Sequence, residues 1–293
     1  MRMDGQEESS NVEDVRGMGG GGGGFGIGGR GLGIGSIVIA VIAGWIFGIN
    51  PLALLGLMSG SDGGSVVQQQ APAPAPPRDD AAARFVSQVL RSTEQVWTDV
   101  FRASGRTYQP PKLVLFSGSW PTACGKGQAA MGPFYCPNDQ KVYIDLRFYK
   151  VLEQKLGAPG QFAQAYVVAH EVGHHVQQQL GIMDKVDALR SRSGGAQANA
   201  LSVRVELQAD CFAGVWAARS QKENGWRLEP GDIETALNAA AQIGDDTLQR
   251  RSQGTVVPES FTHGTSAQRV NWFKRGLENG SIESCNTFEG RDL

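Results

Sequence analysis

The chain has 293 residues, 41% of them hydrophobic, with 27 basic and 29 acidic side chains and a formal net charge of −2. That length holds one or two domains of ordinary globular composition. The balanced charge gives no electrostatic footprint for nucleic acid or for an anionic membrane surface, and so argues against a polyanion-binding function.

Residues 1–18 are polar and charged, with no apolar period, and with the glycine tract that follows they predict a disordered, Gly-rich cytoplasmic tail over 1–33. Gly26, Gly28 and Gly31 form a GxGxxG, but no strand precedes it and no helix with a following acidic residue comes after it. No GK[ST] follows either, so no nucleotide is expected as a ligand.

Between Arg30 and Asp62 nothing is charged, and residues 34–58 read IGSIVIAVIAGWIFGINPLALLGLM. About 20 apolar residues span the hydrocarbon core, so this segment predicts a single transmembrane helix, kinked or ended at Asn50-Pro51. A cleaved signal peptide fits less well, because LMSGSDGG is a poor processing site. Arg16 and Arg30 lie before the span and the next basic residue is Arg78, which predicts the N-terminus inside and the remainder outside. Residues 59–80 carry Ala-Pro repeats and predict a semi-rigid linker, and 81–293 predict one compact domain.

That domain reads as α+β and mainly helical, with a small β-sheet. Phe85, Val89, Val96, Val100 and Phe101 have near-helical spacing. Lys112 to Phe116 and Val142 to Leu146 are β-rich runs, the second with Tyr143 and Asp145 on one face. Long helices are predicted from about Pro159 to Gly181 and from Ala198 to Lys222, and shorter ones over 230–244 and 266–279.

The first long helix contains AYVVAHEVGHHVQQQ. His170 and His174 are four apart, so they share one helical face and can hold one metal ion. Glu171 can reach a water activated by that ion and act as general base. A catalytic zinc takes three protein ligands and keeps a fourth position open. The second long helix offers the third: in SVRVELQADCFAG, Glu206 and Asp210 are again four apart. Glu206 completes a His, His, Glu set, with Glu223 and Asp187 as alternatives, and Asp210 can accept the free N–H of a ligand histidine. His175 is turned about 100° from His174 and is expected at the surface or behind the ligands. Only one zinc ion per chain follows from this set. A structural zinc is disfavoured, because closed sites use four protein ligands.

HEVGHH followed by ELQAD resembles the gluzincin pattern HExxH…ExxxD. More closely, the chain resembles the bacterial "putative neutral zinc metallopeptidase" family. The resemblance is carried by SSNVEDVRG, GWIFGINP, GPFYCPNDQKVYIDLRFY, AHEVGHHVQ, ELQADCFAG and THGTSAQRVNWFKRG, and so covers almost the whole chain. It implies a gluzincin-like fold, zinc and peptidase activity, and a bacterial cell (inner) membrane as the location, with the catalytic domain periplasmic or extracellular. Other gluzincins often place a late histidine at the developing oxyanion, which the resemblance transfers to His263. The plainer reading of His263 is a turn residue before the last helix, with Ser266 as its N-cap. A gluzincin-like edge strand beside the zinc helix pairs with extended substrate, and the run Val142 to Leu146 is a candidate for it, or else an ordinary core strand.

The four cysteines lack CxxC spacing. An extracytoplasmic domain predicts Cys124 bonded to Cys136 and Cys211 to Cys285, and four buried thiols are the alternative. Hydrolysis of peptide bonds in extracytoplasmic proteins or peptides is the function expected. The rival is a non-catalytic, membrane-tethered zinc-binding scaffold, which would have no chemical need for Glu171.

Overall fold

The computed structural model describes residues 1–3, 5–18, 79–128, 132–223 and 226–289. The fold is α+β and mainly helical. The first element is β1, Val12–Asp14. Helix α1, Ala81–Ala103, follows, with the Asp80 carboxylate accepting the Ala83 N–H at its start. That bond satisfies one of the amides a helix N-terminus leaves without an intrahelical partner. The next elements are β2 (Lys112–Leu115), the hairpin β3 (Ser119–Thr122) and β4 (Gly125–Gln128), β5 (Phe134–Cys136) and β6 (Lys141–Ile144).

One sheet has the order β1-β2-β6-β5, with β5 alone antiparallel, and β3 and β4 pair separately. Both faces of β2 and β6 are covered. Leu113, Leu115, Val142 and Ile144 join the main core, while Val114 and Tyr143 pack with Phe116, Trp120 and Phe134 on the other side. The run Val142 to Leu146 is therefore a central strand. It ends at Ile144, and Asp145 turns to accept the Gly118 and Arg147 N–H groups. A central strand has no free edge to offer a substrate, so that expectation is corrected. The outer strand on the helical side is β5.

Seven more helices follow among the described residues: α2 (Phe148–Gln154), α3 (Gln161–Gln179), α4 (Ile182–Arg190), α5 (Gly195–Glu223), α6 (Asp232–Gln242), α7 (Asp245–Gln253) and α8 (Ser266–Asn279). Helix α3 is buried on nearly every side, between α1, α5 and α6. Two close crossings set the helical layer. A Cβ on Gly173 would stand 3.0 Å from the Ala209 carbonyl oxygen, so glycine lets α3 approach the α5 backbone. A Cβ on Gly276 would stand 1.9 Å from the Cys211 carbonyl oxygen, so α8 lies backbone to backbone on α5. The N-cap of α8 is Thr265, in a capping box with Gln268, and Ser266 is the first helical residue.

The N-terminal segment corrects the expected tail. Met1, Met3, Val12 and Val15 are buried on the domain, and β1 extends its sheet. Full burial of such side chains contributes about 1.5–3 kcal/mol each, which no disordered tail could gain. Ser9 and Asn11 also donate to the buried Glu94 of α1.

This pairing overturns the expected topology. Residues 19–78, which include the span 34–58 and the linker up to residue 78, lie outside the described residues. Among the described residues, no helix is long and apolar enough to cross a membrane. The chain on both sides of 19–78 is held at one place, where Arg16 donates to Asp80 at 2.6 Å. A single crossing between them would put β1 and β2 on opposite sides of a bilayer, and their register excludes that. The single-pass anchor and the inner-membrane location with the N-terminus inside are withdrawn. Asp80, counted with the linker, belongs to the domain as the cap of α1.

Candidate metal centre

Helices α3 and α5 bring His170, His174 and Glu206 together, with one ligand atom from each lying within 4.8 Å of the others. The Nε2 of His170 is 3.2 Å from Glu206 Oε2, and the Nε2 of His174 is 3.5 Å from Glu206 Oε1. Donors around a tetrahedral ion with bonds of about 2.0–2.2 Å stand roughly 3.3–3.6 Å apart. The two imidazole–carboxylate distances lie at or close to that range.

The tautomers fit as well. His170 Nδ1 lies 2.8 Å from Asp210 Oδ1, and His174 Nδ1 lies 2.9 Å from Gln177 Oε1. An acceptor at Nδ1 holds the proton there and leaves the Nε2 lone pair for a metal. Two imidazoles and one carboxylate are the donor set of a catalytic rather than a structural zinc.

Asp210 is fully buried. Besides His170 it accepts from Tyr166 Oη at 2.5 Å, Arg269 Nε at 2.9 Å and Arg269 Nη2 at 3.0 Å. Burial opposes its charge, but Arg269 and His170 outweigh that and hold its carboxyl below the usual range. Burial likewise opposes charge on His170, yet Asp210 and Glu206 raise its pKa to about 10. Glu206 is held well below the usual carboxylate range by His174 and His170, against the cost of its burial. The groups around the shared point therefore favour positive charge there.

Glu171 stands on the same helix. Burial raises its pKa, and the two imidazoles and the nearby Tyr135 backbone of β5 oppose the rise. His263 lies in the loop before α8. Its Nδ1 is 3.2 Å from Asp245 Oδ1, while Asp245 Oδ2 accepts the N–H groups of Thr262, His263 and Gly264 at 2.7, 2.6 and 3.1 Å. Burial lowers the pKa of His263, but Asp245 and then Glu206 raise it above the ordinary value, so the ring feels the cluster's carboxylate.

The expectation for His175 is partly corrected. It is buried, with Nε2 2.7 Å from the Gln109 carbonyl oxygen and Nδ1 3.0 Å from Tyr135 Oη. Gln179 Nε2 also lies 2.6 Å from His175 Nε2 and donates to the same Gln109 carbonyl. Through Tyr135, His175 fastens β5 to the zinc helix. Asp187 is exposed beside Arg190 and lies outside the cluster, and the side chain of Glu223 falls outside the described residues. The structure bonds Cys124 to Cys136, tying the hairpin to the end of β5, and Cys211 to Cys285, tying α5 to the C-terminal turn.

Arg269, Tyr166, Gln177 and Asp245 escaped the reading of the sequence. Tyr166 had a signal, since it precedes His170 by four residues on one face of α3. Arg269 is brought in only by the crossing of α8 on α5, which no local pattern announces. Replacing Asp210 by Asn would set an amide against donors from three residues, Tyr166, His170 and Arg269. We expect zinc affinity 10- to 100-fold weaker, as for other partners of metal-bound histidines, measured by competition with a chromophoric chelator.

The family model described as "putative neutral zinc metallopeptidase" matches residues 1–288. The chain is 53% identical over 288 residues to the uncharacterized protein YpfJ of Escherichia coli (strain K12), covering 98% of this chain and 99% of that one. It is 43% identical over 211 residues to the uncharacterized protein Rv2575 of Mycobacterium tuberculosis (strain ATCC 25618 / H37Rv), 69% of each chain. No solved structure matches. The chain belongs to this zinc metallopeptidase family.

Proposed function

We propose that this member of the zinc metallopeptidase family hydrolyses peptide bonds in protein or peptide substrates, with Glu171 as general base. The observation that carries the reading is the placement of a buried carboxylate, Glu171, beside three convergent ligand atoms of catalytic stoichiometry. Bound by His170, His174 and Glu206, zinc would supply Lewis acidity toward a scissile carbonyl and acidify a water.

The chain's own residues supply the rest. Glu171 takes the water's proton and delivers it to the leaving amine, and its raised pKa brings it nearer the working range of a base that must also serve as an acid. His263, held by Asp245, donates toward the charge that develops on the carbonyl oxygen. Among the described residues no strand pairs with the outer edge of β5, and the Tyr135 backbone of that strand lies near enough to Glu171 to oppose the rise in its pKa. An extended substrate laid along that edge would bring its backbone to the base.

The test is zinc content and cleavage of an unfolded protein such as casein, measured on one preparation. Zinc binding with casein cleavage that a chelator abolishes is the expected result. His263→Gln should bind zinc as the wild type does while its kcat falls about 10²-fold, the low end for one oxyanion donor. An unchanged kcat would remove His263 from the mechanism.

A further inference from the structure

Behind His174 the polar contacts form one directed chain. Gln177 is fully buried, and its Nε2 donates both to the Val205 carbonyl at 2.7 Å and to Gln208 Oε1 at 3.0 Å. Both of its N–H groups are thus committed, so Oε1 must face His174 Nδ1. Gln208 is in turn oriented from its other end, where Nε2 donates to the Cys285 carbonyl at 3.0 Å. A carbonyl oxygen can only accept, so it fixes the direction of every amide before it. The last consequence is a proton on His174 Nδ1 and a lone pair on Nε2.

Cys285 lies in the short 3-10 turn Ile282–Cys285, after α8. That turn is anchored to α5 by the Cys211–Cys285 disulfide and by Thr287, whose Oγ1 donates to the Arg204 carbonyl at 2.7 Å. Arg204 also donates to the Thr287 carbonyl. Arg204, Gln208 and Cys211 are spaced i, i+4, i+7 and so share one face of α5. Glu206 and Asp210, on the other side of the same turns, meet the histidines. Helix α5 is thus clamped between the zinc helix and the C-terminal turn at the level of the ligands.

We propose that the disulfide-anchored C-terminal turn is the positioning device of the metal ligand His174, acting through Gln208 and Gln177 to hold the tautomer that binds zinc. This rests on reading His170, His174 and Glu206 as the zinc site. Gln177 and Gln208 are positioning residues and touch no ligand position themselves.

Release of the turn frees Gln208 to rotate its amide. With a Gln208 N–H turned toward it, Gln177 is held only by the Val205 carbonyl against a flip that would present N–H to His174 Nδ1, move the imidazole proton to Nε2 and block the metal.

The experiment uses the full chain with both disulfides formed. Zinc affinity is read by chelator competition, and the His174 tautomer by 15N NMR of histidine-labelled, chelator-stripped protein. Gln208→Leu should weaken zinc binding 10- to 100-fold, the usual effect of losing a partner behind a ligand, and shift the proton toward Nε2. Cys211→Ser with Cys285→Ser should do the same. Adding Gln208→Leu to that pair should cost little more, because both act along one chain of contacts. Should Gln208→Leu fail to fold, the cysteine pair carries the same two readouts. Wild-type affinity in either variant overturns the proposal, and so does weaker binding with the tautomer unmoved. A wild-type chain that binds no zinc overturns the metal site and this inference with it, whereas tight wild-type binding with indifferent variants overturns the inference alone.

Discussion

Glu171→Gln is expected to keep its zinc and lose its turnover. The amide has the shape of the carboxylate and belongs to no ligand position, so the contacts of His170, His174 and Glu206 with one another remain. It cannot take a proton from water, and a positioned general base contributes typically 10²–10⁴-fold. The variant should therefore show wild-type zinc stoichiometry with casein cleavage reduced by that factor, measured on the same preparation. Glu171 is buried. Neutralising the side chain relieves a desolvated charge, so stability should hold or rise while rate falls. A Glu171→Gln protein that cleaves at the wild-type rate would refute the peptidase mechanism.

The same variant separates the rival reading. A zinc-binding scaffold has no use for a buried carboxylate beside three ligands, and burying one without a function costs free energy. If wild type and Glu171→Gln bind zinc equally and neither cleaves any unfolded protein offered, the scaffold gains ground.

The zinc cluster was legible in the sequence because its geometry is local. His170 and His174, and separately Glu206 and Asp210, are pairs one helical turn apart, and period alone puts each pair on one face. What period cannot give is which faces meet. Gly173 gave no sign of the α3–α5 approach it permits, nor Gly276 of the α8 crossing that delivers Arg269 to Asp210. Strand β1 has three residues, too short for alternation to register, and its partner β2 is about a hundred positions away. A polar composition around it then reads as a tail. The expected topology has a different source. The charge-free stretch 34–58 is plain in the sequence, but the orientation rests on Arg16 and Arg30, and the structure pairs Arg16 with Asp14 and Asp80. The surface alternative for His175 fails for a related reason, since on a helix buried all round no face is a surface.

The ligand set itself makes the last prediction. His170→Ala or His174→Ala removes one of three protein donors, and Glu206→Ala removes the carboxylate that faces both imidazoles. Loss of a partner behind a ligand costs about 10- to 100-fold in affinity, so loss of a ligand should cost more than 100-fold. Glu206→Ala carries a second penalty, because it leaves the imidazoles facing each other without the charge between them. Asp187→Asn is the control: that side chain is 68% exposed beside Arg190, and its loss should leave affinity unchanged. Chelator competition on the four variants and the wild type, with circular dichroism to confirm folding, gives the comparison. If Glu206→Ala binds zinc as tightly as wild type while the histidine variants do not, Glu206 is no ligand. The third donor would then have to come from another residue near His170 and His174. Among the described residues, no other histidine, cysteine or carboxylate joins these two in such a cluster.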